Sequence, residues 1–452
     1  MKNIYIVSYA VKGIKNLSDW ASLSFYKKTF GKDFNIQSYN VKAIYGANGA
    51  GKSAIIRSVQ ILKSIILDRY YLSIPMVQRQ LGDLMNKQTQ TLEIVTEFVV
   101  KSENNISLWR YEVKIGRENL NIYHILNESL SFRNARSHTD QMSKVFQCLE
   151  GNLSFFGNDA YNETVKEQTK NLLSTSSLPS VWITQRDMVT HKEKNLLWTG
   201  VGLLILFAQS LTVSMEDFDD HSDYYVYDTM WKVYSSKGDV DEDLYDQLSL
   251  QKEKLNEHSN GNLTADRMEV DKNDFDAYEK YVRKLCEFLR IFKNDLKNIE
   301  IDKKEDEDRF LCTLVLCYER YRIDAEFEST GIKKLIRLYS YLDRMVNGEI
   351  VFIDEFDSNL HDVYLCALLE YLMEYGKGQL CFTTHNIGPM DVLKKNKKSI
   401  DFLSTDHKTY SWTTNGNYSP SKLYRSGMIE GSPFNVFPFD FINSFYHEEE
   451  TE

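Results

Sequence analysis

Eight residues, Gly46-Ala47-Asn48-Gly49-Ala50-Gly51-Lys52-Ser53, fit the pattern G-x-x-x-x-G-K-[ST]. Such a run can hold phosphate. Glycines let successive backbone N–H groups curl around phosphate oxygens, and a following helix N-terminus adds partial positive charge. Lys52 is placed to reach the β- and γ-phosphates of a nucleotide, and the Ser53 hydroxyl to hold Mg²⁺. The candidate phosphate-binding residues are Gly46, Asn48, Gly49, Ala50, Gly51, Lys52, Ser53 and Ala54, the last opening the helix.

A second cluster is Asp354-Glu355, at the end of the apolar run Ile350-Val351-Phe352-Ile353. Asp354 is placed to bind Mg²⁺ directly or through water. Glu355 then lies beside the γ-phosphate, where a carboxylate can orient or deprotonate the attacking water. A third is His385, closing Leu380-Cys381-Phe382-Thr383-Thr384; it can hydrogen-bond the γ-phosphate and help position the water. A fourth is Ser329-Thr330-Gly331, 25 residues before Asp354. A Ser and a Gly at a helix N-terminus make a further anion site.

These residues require particular elements around them. Val41 to Tyr45 reads as a buried strand entering the phosphate loop. In the following helix Ile55, Val59, Leu62 and Ile66 share one inward face. Ile350–Ile353 lacks polar alternation, as does the run closed by His385, which suits parallel strands covered on both sides. Alternating runs at Ile4 to Tyr9 and Ala21 to Tyr26, and candidates at Leu92 to Val100, Ser107 to Ile115 and Asn121 to Ser131, predict an antiparallel layer beside this core. Helices are expected over 331–345 and 362–375.

The middle differs. Residues 141–173 and 201–255 read as mostly helical or irregular. Glu216, Asp217, Asp219, Asp220 and Asp223 form an acidic patch whose spacing does not match a calcium loop. Residues 256–273 are polar and read as a loop or linker. Tyr278, Val282, Leu285, Leu289, Phe292 and Leu296 then make a heptad-like seam, facing either a partner or the helix's own domain. The nearly all-apolar segment 197–213 lacks flanking basic anchors and reads as a buried helix rather than a membrane span.

Composition bounds the function classes. The 452 residues allow two or three domains, and 42% apolar content describes a folded protein. A net charge of −11 makes the chain a poor default nucleic-acid binder. The six cysteines form no C-x-x-C and read as reduced core thiols of a cytoplasmic protein. No secretory signal is expected from residues 1–10.

P-loop, S-T-G, I-D-E, the segment Asp357-Ser358-Asn359-Leu360-His361 and F-T-T-H-N occur in that order. The set resembles the ABC-type ATPases of the SMC-like and OLD-like group, and the 277 residues from Lys52 to Ser329 fit that group. Val11-Lys12-Gly13-Ile14-Lys15-Asn16-Leu17, Gly427-Met428-Ile429-Glu430-Gly431 and Val436-Phe437-Pro438-Phe439 resemble the small bacterial AAA-type ATPases of anti-phage operons.

The resemblance implies an α/β fold: an ABC-type P-loop ATPase head of mixed sheet and helices, an antiparallel β layer and a helical insertion domain. Residues 1–135 and 299–452 would be the two halves of the head. Residues 136–298 would be the mostly helical insertion, carrying partner and oligomer contacts. It implies ATP and Mg²⁺ as cofactors, with Ser53 and Asp354 as metal ligands and Glu355 and His385 catalytic. Ser329 and Gly331 would cap the γ-phosphate bound to the opposite subunit, and Asp357 would occupy the D-loop position. The implied partners are a second copy across the ATP sites, up to a higher homo-oligomer such as a hexamer, a separate Toprim or other nuclease-like effector, and a phage-encoded trigger, as in the PARIS system. No membrane is implied. A DNA-engaging ATPase of repair or chromosome maintenance is the alternative. The group's glutamine loop has no clear match; Gln185 is the one candidate.

Overall fold

The computed structural model describes residues 3–27, 30, 34–102, 105–117, 122–137, 141–156, 160–185, 195–215, 263–413 and 418–432. The acidic patch at 216–223 and the motif at 436–439 lie outside them, as do residues 256–262 of the polar segment 256–273, whose described part contains a short strand at Met268–Asp271 rather than a loop throughout.

The chain opens with strands β1 (Asn3–Lys12), β2 (Ala21–Ser24) and β3 (Val41–Gly46), then helices α1 (Lys52–Leu67) and α2 (Pro75–Leu84). Strands β4 (Thr91–Lys101), β5 (Ile106–Gly116), β6 (His124–Asn134), β7 (Ser143–Leu149) and β8 (Asn152–Phe155) follow. Next are α3 (Ala160–Thr169), α4 (Leu178–Thr184), α5 (Leu196–Gln209), β9 (Leu211–Ser214) and β10 (Met268–Asp271). Then come α6 (Phe275–Phe292), β11 (Leu296–Asp306), β12 (Arg309–Tyr318), β13 (Arg322–Asp324) and α7 (Thr330–Val346). The described chain closes with β14 (Ile350–Ile353), α8 (Asp362–Tyr375), β15 (Gln379–Thr383), α9 (Met390–Leu393), β16 (Ile400–Leu403), β17 (Thr409–Ser411) and α10 (Pro420–Arg425).

Three sheets result. The central one has strand order β17-β16-β3-β15-β14-β9, and all but β17 run parallel. Both its faces are covered, which is why its strands are mostly apolar and their buried charges, Lys42 and Asp401, are paired with each other (2.6 Å). Ile44, Ile350 and Phe352 face α1 and the large antiparallel sheet. Val41, Ala43, Tyr45, Val351 and Ile353 face α7 and α8. The antiparallel sheet has order β2-β1-β4-β5-β6-β7-β8, as the alternating runs predict. A side-chain amide ties the two: Gln379 donates to Ile6 O (2.9 Å) and accepts from Ile6 N–H (2.8 Å), fully buried. The third sheet, β10-β12-β11 with β13, backs α6. The fold is α/β, with a parallel central sheet covered by helices and an antiparallel β layer.

The segment expected as a mostly helical insertion also supplies strands. Residues 143–155 form the hairpin β7–β8, which extends the antiparallel sheet. Its turn residues Glu150 and Gly151 have φ of 47° and 78°, the two-residue turn that matches strand twist. That Glu-Gly turn is the signal the sequence reading passed over. Strand β9 joins the central sheet beside β14, and α4 and α5 pack with α1 into one core. Segment 197–213 is thus a buried helix and a buried strand. No helix among the described residues is long and apolar enough to cross a membrane.

The seam on α6 faces its own domain. Tyr278, Val282, Leu285 and Leu289 are buried with Leu314, Leu316 and Ile336, so they are not an exposed oligomer contact. Changing Leu285 and Leu289 to Asp should therefore unfold this subdomain. The cost should be on the order of 4 kcal/mol or more, from lost packing and buried charge. Thermal unfolding followed by circular dichroism checks it. An unchanged midpoint with a smaller oligomer would restore the partner-facing reading.

Candidate functional site

Parallel strands deliver their tips to one edge, and ligands of open α/β sheets sit outside that edge. Here the carboxyl ends of β3, β9, β14, β15 and β16 are Gly46, Ser214, Ile353, Thr383 and Leu403. The P-loop, Asp354-Glu355 and Thr384-His385 each begin where such a strand stops.

The loop is built by its glycines. Gly49 and Gly51 have φ of 76° and 109°, a region costly for side chains, and Gly51 caps α1. A Cβ on Gly46 would lie 2.5 Å from Leu403 O, so only glycine lets β3 run this close to β16. Asn48 and Gly49 are exposed, whereas Ala50 and Ala54 are buried. The N–H groups of Ala50 and Ala54 donate within the loop and helix, to Ala47 O (3.2 Å) and Gly51 O (3.1 Å). Lys52 is 7% exposed and donates to Gly46 O (2.9 Å) and Ala47 O (3.1 Å). Burial lowers its pKa, and the carboxylates of Asp354, Glu355 and Asp357 oppose that shift. The charges of all three thus act on Lys52, as one shared site requires.

Thr383 organises the acidic pair. Its hydroxyl donates to Asp354 Oδ1 and accepts the Glu355 N–H (2.8 Å). Asp354 N–H donates to Ser214 O (2.9 Å). Glu355 is exposed and has φ of 49°, a strained backbone of the kind that collects at functional sites. Lys334 on α7 donates to Glu355 O (2.9 Å) and to the Ser358 hydroxyl. The sequence reading missed Thr383; its signal was the first threonine of F-T-T-H-N, one position inside the strand end.

His385 follows at the solvent edge. Burial and then the Lys52 charge push its pKa down, against the pull of Asp357, Glu355 and Asp354. At neutral pH the ring is therefore uncharged, able to donate one hydrogen bond and accept another.

Ser53 and Asp354 offer hydroxyl and carboxylate oxygens. Among the described residues no group of three or more His, Cys, Asp or Glu could hold a metal alone. A few oxygen ligands without a protein cage suit Mg²⁺, which keeps waters and takes substrate phosphates.

Ser329 sits, as expected, at a helix N-terminus. Its Oγ accepts the Ile332 N–H (3.4 Å) and its N–H donates to Glu328 Oε2 (2.9 Å). Ser329 and Thr330 are exposed. A Cβ on Gly331 would lie 3.1 Å from Asn359 O, so the S-T-G tip borders its own chain's turn at Asp357 to Leu360. Gln185 is not brought to the site. It follows Thr184, whose hydroxyl accepts from Arg69 (3.1 Å) just beyond the C-terminal end of α1. The 16 residues of α1 separate that end from the P-loop by about 24 Å.

No protein-family model and no curated protein matches the chain. Among solved structures it is similar to the recombination mediator protein RecF of the RecFOR pathway, described as RecF-ATPrS. The identity is 12%, the TM-score 0.37, and the match covers 91% of this chain and 99% of that one. For the same protein described as RecF-ATP the identity is 13% and the TM-score 0.34, over 91% and 100% of the two chains. What assigns the fold here is the strand order and the residues at the sheet's carboxyl edge.

Proposed function

We propose that the chain is a Mg²⁺-dependent ATPase working at the carboxyl edge of its central sheet. The observation that carries this reading is the Thr383 hydroxyl joining Asp354 to the Glu355 backbone, in the field of Lys52. Lys52 releases its loop carbonyls and turns its charge to the β- and γ-phosphates. Ser53 and Asp354 would hold Mg²⁺, which would neutralise charge on the phosphates. Glu355 orients the attacking water and accepts its proton, and neutral His385 hydrogen-bonds the γ-phosphate. Ser329 and Gly331 complete the site on a second copy, so the working unit is a homodimer or a higher assembly.

In the cell this ATPase acts as the regulatory subunit of an anti-phage system. It holds a separate nuclease-like effector in the cytoplasm until a phage protein triggers release. The ordered motifs and their resemblance to anti-phage operon ATPases support this role. Co-purification with the product of a neighbouring gene tests it; a chain that captures DNA and no such product would overturn it.

Lys52→Ala tests the site. It removes the cation aimed at the phosphates, so equilibrium binding of an ATP analogue should weaken at least tenfold, about 1.4 kcal/mol. Parental affinity in the folded variant removes the P-loop assignment.

A further inference from the structure

The P-loop is gripped from outside by two side chains far apart in sequence. Asn16, in the connection between β1 and β2, donates its amide to Gly49 O. The His407 ring nitrogen Nδ1 lies 3.3 Å from the next carbonyl, Ala50 O, across the β16–β17 turn. We propose that Asn16 and His407 are positioning residues that fix the P-loop amides for phosphate.

The argument starts from the peptide plane. In a trans peptide the C=O of one residue and the N–H of the next point opposite ways. Pinning Gly49 O outward turns the Ala50 N–H inward, where it closes the turn onto Ala47 O (3.2 Å). Pinning Ala50 O outward turns the Gly51 N–H the other way, towards the side from which a phosphate approaches. Gly49 and Gly51 have positive φ and few steric limits of their own, so such a loop needs outside restraints to hold one geometry.

Both grips are themselves held. The Asn16 turn is closed by Gly13 N–H to Leu17 O (2.7 Å) and Leu17 N–H to Ile14 O (2.9 Å). Asn86 fastens it from below, donating its side-chain amide to Lys15 O (2.8 Å) and its N–H to Gly13 O (3.0 Å). Leu17 is buried, and its Cδ2 would lie 2.6 Å from a Cβ on Gly51, so this turn is pressed against the loop. His407 has φ of 67° in a turn closed by Ser404 N–H to Lys408 O (3.0 Å). That turn continues from Leu403, whose carbonyl leaves no room for a side chain on Gly46.

The inference rests on the nucleotide reading of the site, and ADP separates the two. ADP engages the loop through its β-phosphate without needing the hydrolytic residues. Asn16→Asp keeps the side chain's shape but replaces the donor with an acceptor facing a carbonyl. In the full chain its ADP affinity should fall about tenfold or more, with the thermal midpoint of the nucleotide-free protein unchanged. KM for ATP should rise more than kcat falls, which a general loss of structure would not produce. His407→Phe removes the second grip at a half-buried position and should act in the same direction. Parental ADP affinity in both variants overturns the inference alone. A parental protein that fails to bind ADP overturns the nucleotide reading and the inference with it.

Discussion

Glu355→Gln should leave ATP bound and stop its hydrolysis. The amide has nearly the shape of the carboxylate but cannot accept the proton of the attacking water. The rate should fall by roughly two orders of magnitude or more, the usual scale of general-base help. The geometry favours a clean result. The backbone at residue 355 is anchored twice, by its N–H on the Thr383 hydroxyl and by its carbonyl under Lys334. The side chain itself is exposed. The substitution therefore leaves the anchored backbone in place, and the variant should accumulate in its ATP-bound form. Single-turnover phosphate release and filter binding, measured on the same preparation, check both halves. Hydrolysis at the parental rate would remove Glu355 from the mechanism.

Two inactive proteins should restore activity to each other. If Ser329 serves the opposite subunit, Lys52→Ala homodimers have two broken sites and so do Ser329→Arg homodimers. A mixed dimer gathers both defects into one site and leaves the other parental. With independent sites, activity should return to about half the parental value per mixed dimer, the level expected when half the sites are intact. Exposure of Ser329 and Thr330 beside the turn at Asp357 to Leu360 motivates the experiment. Native mass spectrometry establishes that mixed dimers formed. Full activity of Ser329→Arg alone would end the assignment. Confirmed mixed dimers without activity would mean that Ser329 serves its own chain or that the two sites must fire together.

Much of the central sheet was legible because its signals are local. The P-loop needs glycines at fixed offsets, the strand ending at Ile353 is an unbroken apolar run, and the strand ending at Thr383 is apolar through Leu380, Cys381 and Phe382. Where the sequence reading fell short, the deciding partner lay far along the chain. The α6 seam has the same spacing whether it faces another chain or Leu314 and Leu316 of its own sheet, and only packing distinguishes them. Strand β9 is four residues attached to an apolar helix, so periodicity merges the two. The Glu150-Gly151 turn was readable but sat inside a stretch with helical composition. Thr383 gains its meaning only once β15 lies beside β14 in register Phe382 to Ile353.

The strand order also has a consequence for how the protein is made. The P-loop strand β3 emerges early in synthesis, yet its two sheet neighbours are β15 and β16, with Val41 facing Leu380 and Ala43 facing Ile400. At ordinary elongation rates the ribosome needs roughly 17 to 70 s to bridge such a gap. During that time a mostly apolar strand, with its buried Lys42 still lacking Asp401, and its glycine loop have no sheet to join. Pairings this distant in sequence also fold slowly once both partners exist. The nascent chain should therefore be a chaperone client until residue 403 clears the exit tunnel. Amino-terminal fragments that carry the complete phosphate motif should aggregate rather than bind nucleotide.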